Sequence, residues 1–94
     1  LLIALDVFEH MTDQEIAKVL TKTTPRVLLV RIPSSTDGGK TFALEVSRQD
    51  LTHINCKTKE QWIEFFKEFE YKTFLRLNLF TVYDTPGVSC LLIL

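Results

Sequence analysis

The sequence predicts an α/β domain, and three observations carry that prediction. An apolar strand, a capped amphipathic helix and a second apolar strand follow one another within the first 33 residues. A second capped helix carries an aromatic stripe. The chain then closes with period-two segments joined by a Pro-Gly turn. Its 94 residues bound it to one small domain. At 46% hydrophobic and 24% charged, it falls outside the disordered and fibrous classes.

The first strand covers Leu1 to Val7 and is apolar on both sides, as central parallel strands are. It ends in Asp6, with Glu9 and His10 close behind. Ligands in open parallel sheets bind beyond the carboxyl ends of the strands, so these three polar residues mark the expected site. Thr12-Asp13-Gln14-Glu15 is a capping box, and Met11 with Ile16 supplies the matching hydrophobic staple. The helix presents Ile16, Ala17, Val19 and Leu20 on one face and stops at Thr23-Thr24, before Pro25.

Arg26 to Ile32 is the second strand, stopped by Pro33, which makes a βαβ unit of the expected right-handed kind. Ser34 to Lys40 is turn-forming. Residues Thr41 to Val46 alternate Phe42, Leu44 and Val46, the pattern of a short strand or an excursion. Gly39-Lys40-Thr41 lacks the Gly six residues before the Lys that a phosphate-binding loop requires, because Ser34 stands there, so a surface loop is expected. Thr58-Lys59-Glu60-Gln61 is a second capping box. It opens a helix with Trp62, Phe65, Phe66 and Phe69 at core spacing. Phe74 to Phe80 alternates as a strand, and Thr85-Pro86-Gly87-Val88 suits a type II turn with Gly87 at positive φ. The last strand, Val88 to Leu94, is thereby turned back antiparallel on its predecessor.

Several function classes recede on composition. The net charge of −1 argues against a nucleic-acid surface built on basic excess. Cys56 and Cys90 fit no metal or redox spacing and read as buried or indifferent thiols of an intracellular, cytoplasmic protein. No apolar stretch reaches the length of a membrane span and no signal peptide is visible, so no membrane partner is expected. The chain starts and finishes inside apolar strands, which reads as the ordered part of something longer.

The succession of elements, with Asp6-Val7-Phe8-Glu9-His10-Met11-Thr12-Asp13, resembles the carboxyl-terminal half of a class I S-adenosylmethionine-dependent methyltransferase. In that family the fourth strand ends in a segment similar to D-V-x-E-H-x-x-D. Val27 to Pro33 occupies the place of the next strand, and Asp50-Leu51-Thr52-His53-Ile54-Asn55 resembles the D-x-x-H stretch before the last helix. The resemblance covers nearly the whole chain, residues 1–94. It implies a three-layer Rossmann-like half-domain of four principal strands in the spatial order first, second, fourth, third, with the last antiparallel. The family's glycine-rich loop and ribose-binding acid are absent and belong upstream of Leu1. The Pro-Gly-Gly turn common before the fifth strand is replaced by Thr23-Thr24-Pro25-Arg26.

The resemblance implies methyl transfer from S-adenosylmethionine to an unidentified nucleophile, with this chain alone inactive or nearly so. Leu5 and Asp6 would line the methionine end of the cofactor, and His10 and His53 the acceptor side, with His10 placed to act as a general base. Two carboxylates and two imidazoles, Asp6, Glu9, His10 and His53, also make a divalent-cation set in which Mg²⁺ or Mn²⁺ is favoured. Some relatives use a similar acid-rich E-H cluster for that purpose; in others Asp6 faces the cofactor, Glu9 caps locally and His10 packs or meets substrate. The implied partners are the amino-terminal half of the same domain and the substrate, with a homo-oligomer left open. Two readings of other classes stand beside it: a non-enzymatic methyltransferase-like interaction module, and an RNA-binding α/β domain, which requires exposed aromatics on a sheet face.

Overall fold

A computed structural model describes residues 1–94. Strand β1 (Leu2–Leu5) runs into a 3-10 turn (Phe8–His10), helix α1 (Asp13–Thr23) and strand β2 (Leu28–Pro33). A four-residue helix α2 (Glu45–Arg48) and helix α3 (Lys59–Lys67) follow. Strand β3 (Phe74–Arg76), a two-residue ladder of β4 (Asn78–Leu79) with β5 (Val82–Tyr83), and β6 (Val88–Ile93) complete the chain.

The main sheet has the order β1-β2-β6-β3. β1 lies parallel to β2, with Leu2 opposite Leu28 and Leu5 opposite Arg31. β6 inserts antiparallel between β2 and β3. In the numbering of the four principal strands this is first, second, fourth, third. The result is a small mixed α/β fold with a four-stranded mixed sheet and three helices.

Both capping boxes form as their spacing predicts. The Thr12 hydroxyl accepts from the Glu15 amide while the Glu15 carboxylate accepts from the Thr12 amide, and Thr58 with Gln61 repeats the arrangement. Thr24 takes a left-handed conformation at the end of α1. Alternation along the strands puts Leu2, Ala4, Leu28, Val30, Ile32, Leu91 and Ile93 on one face of the sheet. These pack in one cluster with Ile16 and Leu20 of α1 and with Trp62, Phe65 and Phe66 of α3. Each large apolar side chain buried there contributes about 1.5–3 kcal/mol.

Because α1 and α3 share that single cluster, the helices cover one face only. The expected three layers are two, and β1 is an edge strand rather than one buried on both faces. Its other face carries Ile3 in register with Leu29, Leu92 and Leu75, an aliphatic row without an aromatic ring, and Ile3 is 57% exposed. Strand periodicity registers that these residues are apolar, but not whether anything stacks on them. The next rung, Leu5, Arg31 and Cys90, is partly roofed by the β4–β5 ladder, where Arg31 Nη1 donates to the Thr81 carbonyl at 3.0 Å.

Three local expectations change. Residues Thr41 to Val46 form no strand beyond a single bridge from Phe42 to Ser35, and α2 begins inside that stretch. The strand expected over Phe74 to Phe80 divides, because Asn78–Leu79 leaves the sheet to pair with Val82–Tyr83. Gly87 does not take the positive φ of a type II turn. It is small for a steric reason, since a Cβ there would meet the Leu44 side chain at 3.1 Å.

Candidate functional site

The site forms where the segment after β1 meets the loop after α2. Asp6 ends β1 at φ 58°, a left-handed turn that Asp tolerates better than most residues. The chain swings into the 3-10 turn, which buries Phe8 and Glu9. The Glu9 carbonyl then accepts from the amides of both Ile54 and Asn55, at 2.9 and 3.0 Å. Asn55 adds side-chain bonds to the Met11 carbonyl and to Asp13, at 3.0 and 2.8 Å. These bonds tie residues 50–55 to residues 9–13 and bring His53 beside His10, with ring centroids 4.7 Å apart.

Glu9, His10 and His53 present donor atoms that all lie within 4.8 Å of one another. Glu9 Oε2 stands 3.5 Å from His10 Nε2 and 3.8 Å from His53 Nε2. The Glu9 side chain is fully buried and neither of its oxygens has a hydrogen-bond partner. Burial pushes its carboxyl above the usual carboxylate range, against the opposing pull of its own nearby backbone N–H and of the two histidines. An unpartnered buried carboxylate is expensive, and buried polar groups in folded proteins are rarely left so.

The surroundings orient both rings. His10 Nδ1 faces the Thr52 carbonyl and the Thr52 hydroxyl, each at 3.0 Å. His53 Nδ1 faces the Ser47 carbonyl at 3.1 Å, and the buried Phe42 ring packs edge-on against it. Asp50 accepts from the Thr52 amide and hydroxyl through Oδ1, which keeps its carboxyl below the usual range, and its Oδ2 lies 3.3 Å from His53 Nε2.

Of the residues expected at the site, the structure thus brings together Glu9, His10 and His53. Asp6 stands apart: Arg31 holds its carboxylate through two bonds, Nε to Oδ1 at 3.1 Å and Nη2 to Oδ2 at 2.7 Å. Its oxygens are therefore directed along the β1–β2 edge and not into the cluster. Leu5 closes β1, partly buried, on the same rung as Arg31. Three contributors were not singled out from sequence: Asp50, Thr52 and Ser47. Asp50 and Thr52 lie inside the D-x-x-H stretch already noted, and the i, i+3 spacing of Asp50 and His53 was the available signal. Ser47 acts through its carbonyl, which no side-chain pattern reveals.

Gly39-Lys40-Thr41 belongs to a loop organised from within. The Asp37 carboxylate accepts from the Ser35 and Thr41 hydroxyls and from the amides of Lys40 and Thr41. The two cysteines are free, Cys90 buried and Cys56 partly so. No helix is long and apolar enough to cross a membrane. No protein-family model, curated protein or solved structure matches the chain.

Proposed function

We propose that these 94 residues form the carboxyl-terminal part of an S-adenosylmethionine-dependent methyltransferase domain, with Glu9, His10 and His53 on the acceptor side. The observation that carries this reading is the state of β1. In a parallel ladder alternate residues point to opposite edges, and Leu2 and Asp6 donate toward β2. Ile3 and Leu5 therefore turn their backbone amides and carbonyls away from the sheet. This edge has no charge, proline or bulge to guard it, unlike ordinary exposed edges. The aliphatic row beside it is likewise uncovered by any helix of the chain. An edge and a face of this kind fit a further strand and helix supplied by a cofactor-binding half.

When bound, the cofactor would supply a methyl group on a cationic sulfonium for in-line displacement. The chain's own contribution is narrower. Leu5 offers its outward backbone groups and the Asp6 turn shapes the wall beside them. Since the Asp6 carboxylate is already paired with Arg31, its part is to hold the turn and not to bind the cofactor's amino group directly. His10, the more exposed imidazole, is placed to meet and orient an acceptor.

The alternative, a methyltransferase-like module that docks without catalysis, draws on the same Asp6–Arg31 pair, which closes off a carboxylate that a cofactor site would use. One experiment separates the two. Backbone NMR of the chain is recorded with millimolar S-adenosylmethionine, and calorimetry is done on the protein carrying these residues together with its preceding segment. The methyltransferase reading expects small shifts confined to Leu5–Val7 and micromolar binding by the longer protein. Absence of both would favour the docking module.

A further inference from the structure

The hydrogen bonds around the two histidines put a ring proton on Nδ1 of each, so the neutral imidazole at either position has its lone pair on Nε2. The Thr52 hydroxyl donates its proton to Asp50 Oδ1 at 2.5 Å, so toward His10 it can only accept. His10 Nδ1 thus faces two acceptors and carries the ring proton, leaving the lone pair of the neutral imidazole on Nε2. His53 Nδ1 faces the Ser47 carbonyl and takes the same form. In that form two Nε2 lone pairs and the buried Glu9 carboxylate confront one another with no donor between them. A cation relieves all of these groups at once.

The donor types select the kind of cation, and the spacing agrees with them. Ligands at 2.0–2.1 Å from a tetrahedral ion sit about 3.3 Å apart. Octahedral Mg²⁺ at a similar bond length brings neighbouring ligands to about 2.9 Å and prefers oxygens throughout. The three donor atoms lie within 4.8 Å of one another, and the separations of 3.5 and 3.8 Å around Glu9 Oε2 are wider than either value but nearer the tetrahedral one. Two imidazoles with one carboxylate are a borderline donor set, suited to Zn²⁺ and its neighbours. Imidazoles held through Nδ1 by carbonyl groups are the outer support such ligands receive in metal sites.

We propose that Glu9, His10 and His53 form a three-ligand site for a borderline divalent cation of the Zn²⁺ class. Its open position lies on the side of His10, where water or a hydroxyl-bearing ligand completes the coordination. The preference for Mg²⁺ or Mn²⁺ expected from a set including Asp6 gives way, because Asp6 belongs to Arg31. The inference needs no S-adenosylmethionine, so its outcome and that of the methyltransferase reading are independent.

The test is calorimetric titration of the chain, at neutral pH, with Zn²⁺ and separately with Mg²⁺, and absorption spectroscopy with Co²⁺. The site predicts one Zn²⁺ per chain, affinity for Mg²⁺ weaker by at least about 100-fold, and the intense visible bands of low-coordinate Co²⁺. Glu9→Gln, which keeps the shape of the buried side chain, and His10→Ala, at the half-exposed ring, each lose Zn²⁺ affinity by about 100-fold or more. Circular dichroism checks that each variant folds, and either one suffices if the other does not. No Zn²⁺ binding, Mg²⁺ bound as tightly as Zn²⁺, or affinity unchanged in a folded variant would overturn the proposal.

Discussion

Arg31 grips Asp6 across the β1–β2 pair with both of its forward nitrogens, at 3.1 and 2.7 Å, and Asp6 holds a left-handed turn while it is gripped. Two separable effects meet at one residue. Asp6→Asn loses the ion pair but tolerates the turn, and costs about 0.5–1 kcal/mol, since the pair is partly exposed. Asp6→Ala also places an ordinary side chain at positive φ and costs roughly 1 kcal/mol more. Urea unfolding of the two variants beside the parent measures the difference.

Glu9 gives the cation-free chain a pH dependence of definite sign. Its carboxyl binds a proton more tightly in the folded state than in the unfolded one, because burial raises its pKa. Stability from this group is full below the ordinary carboxylate range and is lost as pH rises through the raised folded value. His10, His53 and Asp6 are the titratable groups that act on it, the histidines favouring its charge and Asp6 opposing it. In the presence of a chelator, this contribution opposes those of Asp13, Glu15, Asp37 and Asp50, whose depressed pKa values favour the folded state as pH rises. The unfolding free energy of Glu9→Gln relative to the parent should therefore increase on going from acid toward neutral pH.

The core makes a prediction in which two aromatic residues differ. Phe66 is fully buried and touches Phe8, Trp62 and Phe65, so Phe66→Ala should cost about 3–5 kcal/mol. That is a large part of the total stability of a domain this size. Trp62 is as deeply buried, but its indole N–H has no partner. Trp62→Phe loses packing and also removes an unsatisfied donor, so its cost should stay below half that of Phe66→Ala. Thermal and urea unfolding of both variants provide the comparison.

Asp37 should act on its loop and not on the core. Its carboxylate, well below the usual range because the Ser35 and Thr41 hydroxyls donate to it, also holds the Lys40 and Thr41 amides. Asp37→Ala should abolish hydrogen-exchange protection at those two amides and leave the strand amides of β2 and β6 unchanged. Its pKa is depressed on folding, so the same protection in the parent should persist at neutral pH and fail only in strong acid.

How far the fold and site were legible in sequence follows from the range of the forces involved. The two helix starts were readable because a capping box is closed by residues three apart, and Thr12 with Glu15 and Thr58 with Gln61 need no tertiary help. Trp62, Phe65 and Phe66 were readable as core because helical spacing brings them to one face. Phe69 was expected in the same helix, but it lies past Lys67 and is only partly buried. The layers were not legible: Ile3, Leu29, Leu75 and Leu92 satisfy an apolar pattern whether or not an element covers them.

At the site, Glu9, His10 and His53 carried chemistry by residue type and could be named. The exclusion of Asp6 depended on Arg31, which lies 25 positions away and reads only as the interruption of an apolar strand. The tautomers depended on Thr52 and on a carbonyl of Ser47, contacts that only the folded loop creates.

The most direct test of the account is the long-range proton–nitrogen NMR spectrum of the two histidine rings, recorded at neutral pH before and after one equivalent of Zn²⁺. Protons are expected on Nδ1 of both His10 and His53, with a metal-induced shift of both Nε2 resonances on addition. Protons resident on Nε2, or Nε2 resonances indifferent to the cation, would contradict it.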